Sequence, residues 1–120
     1  MALYSHNNQT IDYQITPSVL PHDVLLLQGS RFDVVFWQPV LQQLQGQTGR
    51  FVTCKAIPDT EALLGLLKAL GAEDFRIVAI GDAVATATEM QKQSSHVENT
   101  LLYAGNPPRT EELVQAIREL

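Results

Sequence analysis

Blocks of apolar residues alternate with segments of helical periodicity along this chain, and the blocks have the length of buried strands. Residues 24–29, VLLLQG, and 76–80, RIVAI, are nearly continuous apolar runs of the kind found in a central strand covered on both faces. Residues 51–57 and 100–104 are predicted to form two further core strands. Because helical segments separate these strands, we expect right-handed crossovers and a mainly parallel sheet, which is a three-layer α/β/α fold.

Four helices are predicted, over about residues 35–45, 60–70, 83–93 and 110–119. The first should begin near Val35 or Phe36 with Pro39 in its first turn, since proline is tolerated where its missing N–H would be unpaired anyway. Asp59 suits the N-cap of the second helix, and Gly71 suits its C-terminal stop.

The N-terminal residues have a different pattern, which predicts a β-hairpin. Residues 2–5 and 11–16 alternate apolar and polar positions, as half-buried strands do, and Asn7-Asn8 can supply the turn between them. Pro17 and Pro21 are expected to end the second strand, because proline cannot donate to a sheet ladder.

Composition points to one domain over residues 1–120, with 45% apolar and 18% charged residues. The net charge is −5 and no run of Lys or Arg could follow a phosphate backbone, which argues against nucleic acid as a partner. No run approaches the ~20 apolar residues that span a bilayer, and the N-terminus lacks the basic start and apolar stretch of a signal peptide. We therefore expect a cytoplasmic protein without a membrane partner.

Candidate ligands for a metal or a cofactor are few. Cys54 is the single cysteine, and within the strand-like run FVTCKAI it is expected to point into the core. No pair of His, Cys or carboxylate residues has metal-ligand spacing, so no metal is predicted. A dinucleotide loop needs G-x-G-x-x-G, but only Gly81 is present and Asp82 follows it, where its charge would repel pyrophosphate. No cofactor is predicted.

A strand that runs through Gly81 into a helix of small residues, FRIVAIGDAVATATEM, is the segment around which the chain is organised. In open α/β sheets, ligands bind in the crevice beyond the carboxyl ends of the strands. The turn from Gly81 to Ala85 is therefore where a site is expected.

This segment resembles the nucleophile elbow of the α/β-hydrolase family, in which a strand ends in G-x-S-x-G. VLLLQGSRFDVVFWQPVLQQL is similar to the family's strand, His-Gly oxyanion loop and Trp-bearing helix. TEALLGLLKALGAEDFRIVAIGDAVA is similar to the helix that leads into the elbow, and HVENTLLYAGNPP to the strand after it. The resemblance covers nearly the whole chain and implies a shortened α/β-hydrolase fold.

The departures from the family pattern fall on functional positions. Gln28 replaces the usual histidine before the retained Gly29, Ala83 stands in the serine position, and Ala85 replaces the second elbow glycine. A glycine-rich loop that the family carries after Asp59 is absent, and the chain ends before the strands that would bear the acid and the histidine. Because a methyl group cannot attack a carbonyl, acyl transfer by the family mechanism is excluded at Ala83.

The resemblance therefore predicts a catalytically silent binding or interaction domain with no catalytic residue. Its degenerate crevice is expected to be lined by Gln28, Gly29, Ser30, Arg31, Gly81, Asp82, Ala83, Val84 and Ala85. The family holds its nucleophile at positive φ, which would cost Ala83 about 1–2 kcal/mol without a catalytic return. A relaxed turn is expected there instead.

Two other hypotheses remain open. One is a small hydrolase with a relocated nucleophile, Ser30 or Asp82. Against it, the offset of Asp82 from the elbow position should turn its carboxylate away from the crevice, and His6, His22 and His96 are expected on the surface, away from Ser30. The other is a chain that forms one part of a larger assembly, whose partner subunit supplies the missing strands.

The strand over residues 100–104 is expected to lie at an edge of the sheet. Its residues carry no charge, proline or glycine that would discourage pairing, namely Thr100, Leu101, Leu102, Tyr103 and Ala104. A second copy of the chain could pair with this edge about a two-fold axis. The sequence therefore predicts a homodimer, with Leu113 and Ile117 of the last helix adding apolar contact.

Overall fold

A computed structural model describes residues 2–6 and 8–120 and shows a six-stranded sheet in the order β1-β2-β4-β3-β5-β6. The strands are β1 (Ala2–His6), β2 (Gln9–Ser18), β3 (Asp23–Leu27), β4 (Gly49–Cys54), β5 (Phe75–Ile80) and β6 (Val97–Tyr103). The first two strands form an antiparallel hairpin that also pairs antiparallel with β4. The pairs β3·β4, β3·β5 and β5·β6 are parallel, so the sheet is mainly parallel as predicted.

Helices cover both faces of this sheet. They are a 3-10 helix (Val34–Trp37), α1 (Gln38–Gln43), α2 (Thr60–Ala69), α3 (Ala83–Gln93) and α4 (Thr110–Arg118). Buried side chains of α2 and α3 form one core with the sheet, and those of α1 and α4 form a second core on the opposite face. The predicted three-layer α/β/α architecture is confirmed.

The apolar runs occupy the centre of the sheet because strands between two helix layers have no face for polar residues. In β3, every residue from Val24 to Leu27 is at most 1% exposed, and in β5 every residue from Ile77 to Ile80 is fully buried. Cys54, at the end of β4, is also buried, as expected.

Pro17 does not end the second strand, contrary to the sequence-based expectation. Strand β2 continues through Pro17 to Ser18 and pairs there with Arg50 and Gly49 of β4. The register with β1 extends only to Tyr13, so the other side of β2 is open at Pro17. A missing N–H costs little on an open side, which is why the strand tolerates this proline.

Several predicted ends shift by a few residues. The first helix starts as a 3-10 turn at Val34, with Pro39 in the first turn of α1. Gly71, with φ 76°, follows α2 as expected. Asn7, half of the predicted hairpin turn, lies outside the described residues, and Asn8 has a φ of 68°.

Strand β6 lies at one edge of the described sheet, as predicted, but begins earlier than expected. It therefore includes Glu98, so this edge is not free of charge. Leu113 and Ile117 of α4 are 1% and 0% exposed. Their side chains pack inside the chain's own core, so the expectation that they contribute to a dimer contact is wrong.

Candidate functional site

The candidate site lies between the carboxyl ends of β3 and β5, where the chain changes direction across the sheet. From β3 the chain crosses to β4 on one side, and it then returns to place β5 on the other. Such a switch point leaves a crevice between the loops that follow the two strands, and it is where open α/β sheets bind ligands.

Two cavities open at this crevice and share Gly29, Ser30 and Phe32 as a common wall. The first, of 290 Å³, lies toward β6 and is also lined by Arg31, Gly81, Asp82, Ala104, Gly105 and Asn106. The second, of 300 Å³, lies toward β4 and is also lined by Gln28, Lys55, Ala56 and Ile57.

Ser30 and Asp82 join the two loops by a pair of hydrogen bonds. The hydroxyl of Ser30 donates to Oδ2 of Asp82 at 2.5 Å, and its backbone N–H donates to Oδ1 at 2.7 Å. The two candidates for a relocated catalytic group therefore contact each other, although 52 residues separate them in sequence.

These hydrogen bonds change the pKa of the Asp82 carboxyl. The hydroxyl of Ser30 lowers the pKa of the Asp82 carboxyl below its ordinary value, and the Ser30 backbone N–H and the nearby Arg31 act in the same direction. A carboxylate with a lowered pKa is a weaker base than an ordinary one. Asp82 is therefore poorly suited to take a proton from the Ser30 hydroxyl.

The expectation that Asp82 turns its carboxylate away from the crevice is wrong. Gly81 adopts a φ of 66°, which redirects the chain between β5 and α3. Asp82 precedes the helix without a side-chain bond to its N-terminus, and its carboxylate reaches the β3 loop instead.

Ala83, Val84 and Ala85 form the first turn of α3 and line neither cavity of the crevice. The side chain of Ala83 is fully buried. Among the described residues, Asn8 is the one non-glycine with positive φ, so Ala83 is not held in the left-handed region. The prediction of a relaxed turn at Ala83 is confirmed, and the strand-to-helix turn places its positive φ on Gly81.

Close approach of the two loops depends on Gly29. A Cβ atom at this position would lie 2.6 Å from Oδ1 of Asp82 and 2.9 Å from the carbonyl oxygen of Ile80. Both distances are shorter than van der Waals contact, so only glycine fits without displacement.

Gln28 has a structural role that the sequence did not reveal. Its side chain is 3% exposed, and its Oε1 accepts the indole N–H of Trp37 at 3.0 Å. Its Nε2 donates to the carbonyl oxygen of Cys54 at 2.7 Å, and to that of Lys55 at 3.4 Å. Gln28 therefore ties the end of β3 to the end of β4 and to the 3-10 helix.

The described histidines lie away from the crevice. His22 is at the amino end of the sheet, where a ring nitrogen is 3.1 Å from Arg76, and partial burial together with this guanidinium lowers the pKa of the imidazole. His96 is exposed beside Asp74, 3.5 Å away. His6 is in β1. None lines either cavity of the crevice, so no imidazole is placed to activate Ser30.

Elsewhere the described chain has a larger cavity away from the crevice, but no metal-ligand cluster and no membrane-spanning helix. A cavity of 550 Å³ opens at the far end of the sheet, lined by Leu64, Leu67, Lys68, Gly71, Ala72, Glu73, Phe75, Gln93, Ser94 and His96. Within residues 2–6 and 8–120, no three His, Cys, Asp or Glu side chains are grouped to hold a metal ion. No helix in these residues has the length and apolar character needed to cross a membrane.

Cys54 is expected to be inert to thiol reagents in the folded protein. Burial, followed by the charge of Asp12, raises the pKa of its thiol to about 12. Since the thiolate is the reactive form, ionisation alone should slow iodoacetamide labelling at pH 8 by on the order of 10³-fold. Mass spectrometry of native and urea-unfolded protein measures this ratio, and similar rates in the two states would contradict the buried placement.

No protein-family model and no curated protein compared with this sequence matches it. The fold, however, is similar to solved structures of α/β hydrolases. AqDC, which recognises and cleaves the ring of the Pseudomonas quinolone signal, superimposes in its product complex with a TM-score of 0.73 at 18% identity, over 91% of this chain and 48% of that one.

Two further structures give the same result. Carboxylesterase CesB from Bacillus subtilis has a TM-score of 0.72 at 14% identity and covers 86% of this chain, with 42% of its own length matched. MGS-M2, an α/β hydrolase from a Medee basin deep-sea metagenome, has a TM-score of 0.68 at 15% identity, over 84% and 43% of the two chains. This chain thus has an α/β-hydrolase-like fold and spans less than half the length of these neighbours.

Proposed function

We propose that this α/β-hydrolase-like domain is catalytically silent and acts as a binding or protein-interaction module. The observation that carries the proposal is the Ser30–Asp82 pair at the switch point, where both polar groups are engaged with each other and no described histidine lines the crevice. Because Ser30 and Asp82 satisfy each other's hydrogen bonds, the crevice can hold a ligand but offers no activated nucleophile.

An esterase with Ser30 as its nucleophile is the second candidate, and the 2.5 Å contact between its hydroxyl and Asp82 favours it. A serine hydroxyl needs a base whose pKa lies near the working pH. The lowered pKa of Asp82 works against this role, because the carboxylate is then a weak proton acceptor. The distance between Ser30 and Asp82 is thus compatible with an esterase, whereas the lowered pKa of Asp82 favours a catalytically silent domain.

Hydrolysis of p-nitrophenyl acetate and butyrate, with a fluorophosphonate probe, separates the two candidates. The unmodified protein is expected to show no turnover above background and no labelling. Labelling that Ser30→Ala abolishes, or turnover that Asp82→Asn abolishes, would contradict the silent domain and establish the esterase.

Ala83→Ser is expected to leave the protein without ester turnover. The new hydroxyl would lie on the first turn of α3 at a fully buried position that lines neither cavity of the crevice, and the carboxylate of the neighbouring Asp82 is already bonded to Ser30. Burial of a hydroxyl should also lower the free energy of unfolding by about 1 kcal/mol. The same ester assay measures the first effect and urea titration the second. Turnover in this variant would reveal an acid or histidine near Ala83.

As an interaction module, the domain would bind its partner through the edge strand β6. This strand lies at an edge of the described sheet, and Leu102 on it is 38% exposed. An unpaired edge with an exposed apolar side chain is a template for another strand. A second copy is the simplest partner, because a two-fold axis would bring two β6 strands together antiparallel and extend the sheet across both subunits.

Leu102→Lys is expected to convert this dimer to a monomer, since a lysine on an edge strand disfavours pairing. Light scattering at micromolar concentration measures the mass. Leu3→Lys is the matched control, because Leu3 lies on the opposite edge strand β1 and is 69% exposed. A monomer mass for the unmodified protein, or a dimer that survives Leu102→Lys or Leu102→Pro, would overturn the pairing. Co-purification of a different subunit on this edge would do so as well.

A further inference from the structure

We infer that the crevice selects a small organic anion, a carboxylate with an aryl or alkyl body. This inference rests on the proposed binding function and adds the chemical class of the ligand. It starts from the placement of the positive charges, which are scarce in a protein with a net charge of −5.

Six of the eight basic residues have a partner or a position that explains them. Three form ion pairs, namely Arg50 with Asp23, Arg76 with Glu98 and Arg109 with Glu112. Three lie in the last turns of helices, where a positive charge stabilises the dipole, namely Lys68, Lys92 and Arg118.

The remaining two, Arg31 and Lys55, are both at the crevice. All eight basic residues belong to the part of the chain that the structure describes, and neither of these two forms an ion pair there. Arg31 lines the cavity toward β6, and Lys55 lines the cavity toward β4. Both side chains are exposed, and they flank one crevice without a close ion pair or a position at a helix end.

The acidic groups nearby compensate part of this charge, because Arg31 lies close enough to Asp82 to lower the pKa of its carboxyl, whereas no acidic side chain among the described residues forms an ion pair with Lys55. Asp82 is the one carboxylate among the residues that line the two cavities, and its oxygens already accept two hydrogen bonds from Ser30. Asp12 lies next to Lys55, and its backbone carbonyl oxygen accepts the backbone N–H of Lys55. The carboxylate of Asp12 forms no ion pair with the Lys55 side chain. The crevice lining therefore carries two positive charges against one negative charge.

The apolar lining defines the rest of the ligand. Phe32 forms part of the wall between the cavities, and Ile57 and Ala104 lie on either side of it. An arginine fork recognises a carboxylate in two-point geometry, while aromatic and aliphatic walls bind the apolar body. The crevice thus fits an amphipathic acid better than a neutral or cationic compound of the same shape.

Three probes of matched shape test this selectivity, namely 3-phenylpropionate, 3-phenylpropan-1-ol and 3-phenylpropylamine. Each is titrated into ¹⁵N-labelled protein at pH 7.5 and low salt, and the amide shifts are followed. We expect the acid to shift the amides of residues 29–32, 55–57 and 81–82 and to bind at least about tenfold more tightly than the alcohol. The amine should not bind detectably, and 0.5 M salt should weaken the acid alone.

Charge-removing variants locate the binding. Arg31→Gln and Lys55→Gln should each weaken the acid by about five- to tenfold and leave the alcohol unchanged. Arg118→Gln and Lys68→Gln remove the same charge at the last turns of α4 and α2 and should change neither probe. Equal affinity for acid and alcohol, equal weakening by the controls, or no shift at the crevice with any probe would overturn the anion selectivity. Failure of the silent domain would be recognised separately, by ester turnover.

Discussion

Gln28→Leu is expected to lower the free energy of unfolding by about 2–4 kcal/mol. Leucine fills a similar volume but can neither accept from the indole of Trp37 nor donate to the carbonyl oxygen of Cys54. Both groups would remain buried without their partner, and each orphaned group carries a desolvation cost. Urea titration followed by circular dichroism measures the change, and the fluorescence of Trp37, the single tryptophan, reports on its surroundings.

A double-mutant cycle isolates the bond between these two side chains. Because Trp37→Phe removes the donor, combining it with Gln28→Leu should cost less than the sum of the two single changes. Gln43→Leu on the exposed side of α1 is the control and should change stability by no more than about 0.5 kcal/mol. An unchanged free energy of unfolding in Gln28→Leu would refute the structural role of Gln28.

Gly29→Ala is expected to lower the free energy of unfolding by about 1–3 kcal/mol and to separate the two loops of the crevice. Its Cβ would lie 2.9 Å from the carbonyl oxygen of Ile80, which belongs to β5 and cannot shift without disturbing the sheet. It would also lie 2.6 Å from Oδ1 of Asp82, the atom that accepts the Ser30 N–H. Urea titration measures the stability, and a crystal structure of the variant measures the Ser30–Asp82 distances.

The same crevice provides a matched control in Gly105→Ala. Gly105 lines the cavity toward β6, has no positive φ, and a Cβ there would meet nothing within 4 Å. Its replacement should be neutral within about 0.5 kcal/mol. Equal stability of Gly29→Ala and Gly105→Ala, with the Ser30–Asp82 bonds intact, would show that the loops do not depend on close approach at Gly29.

The two predictions bear on function, because Gln28 and Gly29 both determine where the loops around the crevice lie. Gln28 fixes the β4 side of the crevice through Cys54 and Lys55, while Gly29 permits the contact between Ser30 and Asp82 on the β5 side. Neither residue offers a group for acid–base chemistry in this arrangement. These two residues serve to position the loops that form the crevice.

The sequence by itself predicted the fold and the place of the candidate crevice. Strands β3 and β5 could be predicted because a strand covered on both faces must be apolar throughout. Helix α2 could be predicted from its apolar stripe and Gly71; Asp59 takes the predicted N-cap position, but its carboxylate accepts from Gln9 and makes no capping bond. The strand–Gly81–helix pattern located the crevice, because parallel strands present their carboxyl ends at one edge of the sheet. These features depend on residues that are neighbours in sequence.

Only the tertiary structure decided what the site residues do. The Ser30–Asp82 contact joins loops 52 residues apart, and Gln28 meets Cys54 from 26 residues away. Such contacts depend on the order of β4, β3 and β5 in the sheet and on the φ of Gly81, which local patterns do not specify. The wrong prediction that Pro17 ends β2 has the same cause. Whether the missing N–H of a proline matters depends on how far the neighbouring strand extends, and pairing between distant strands sets that extent.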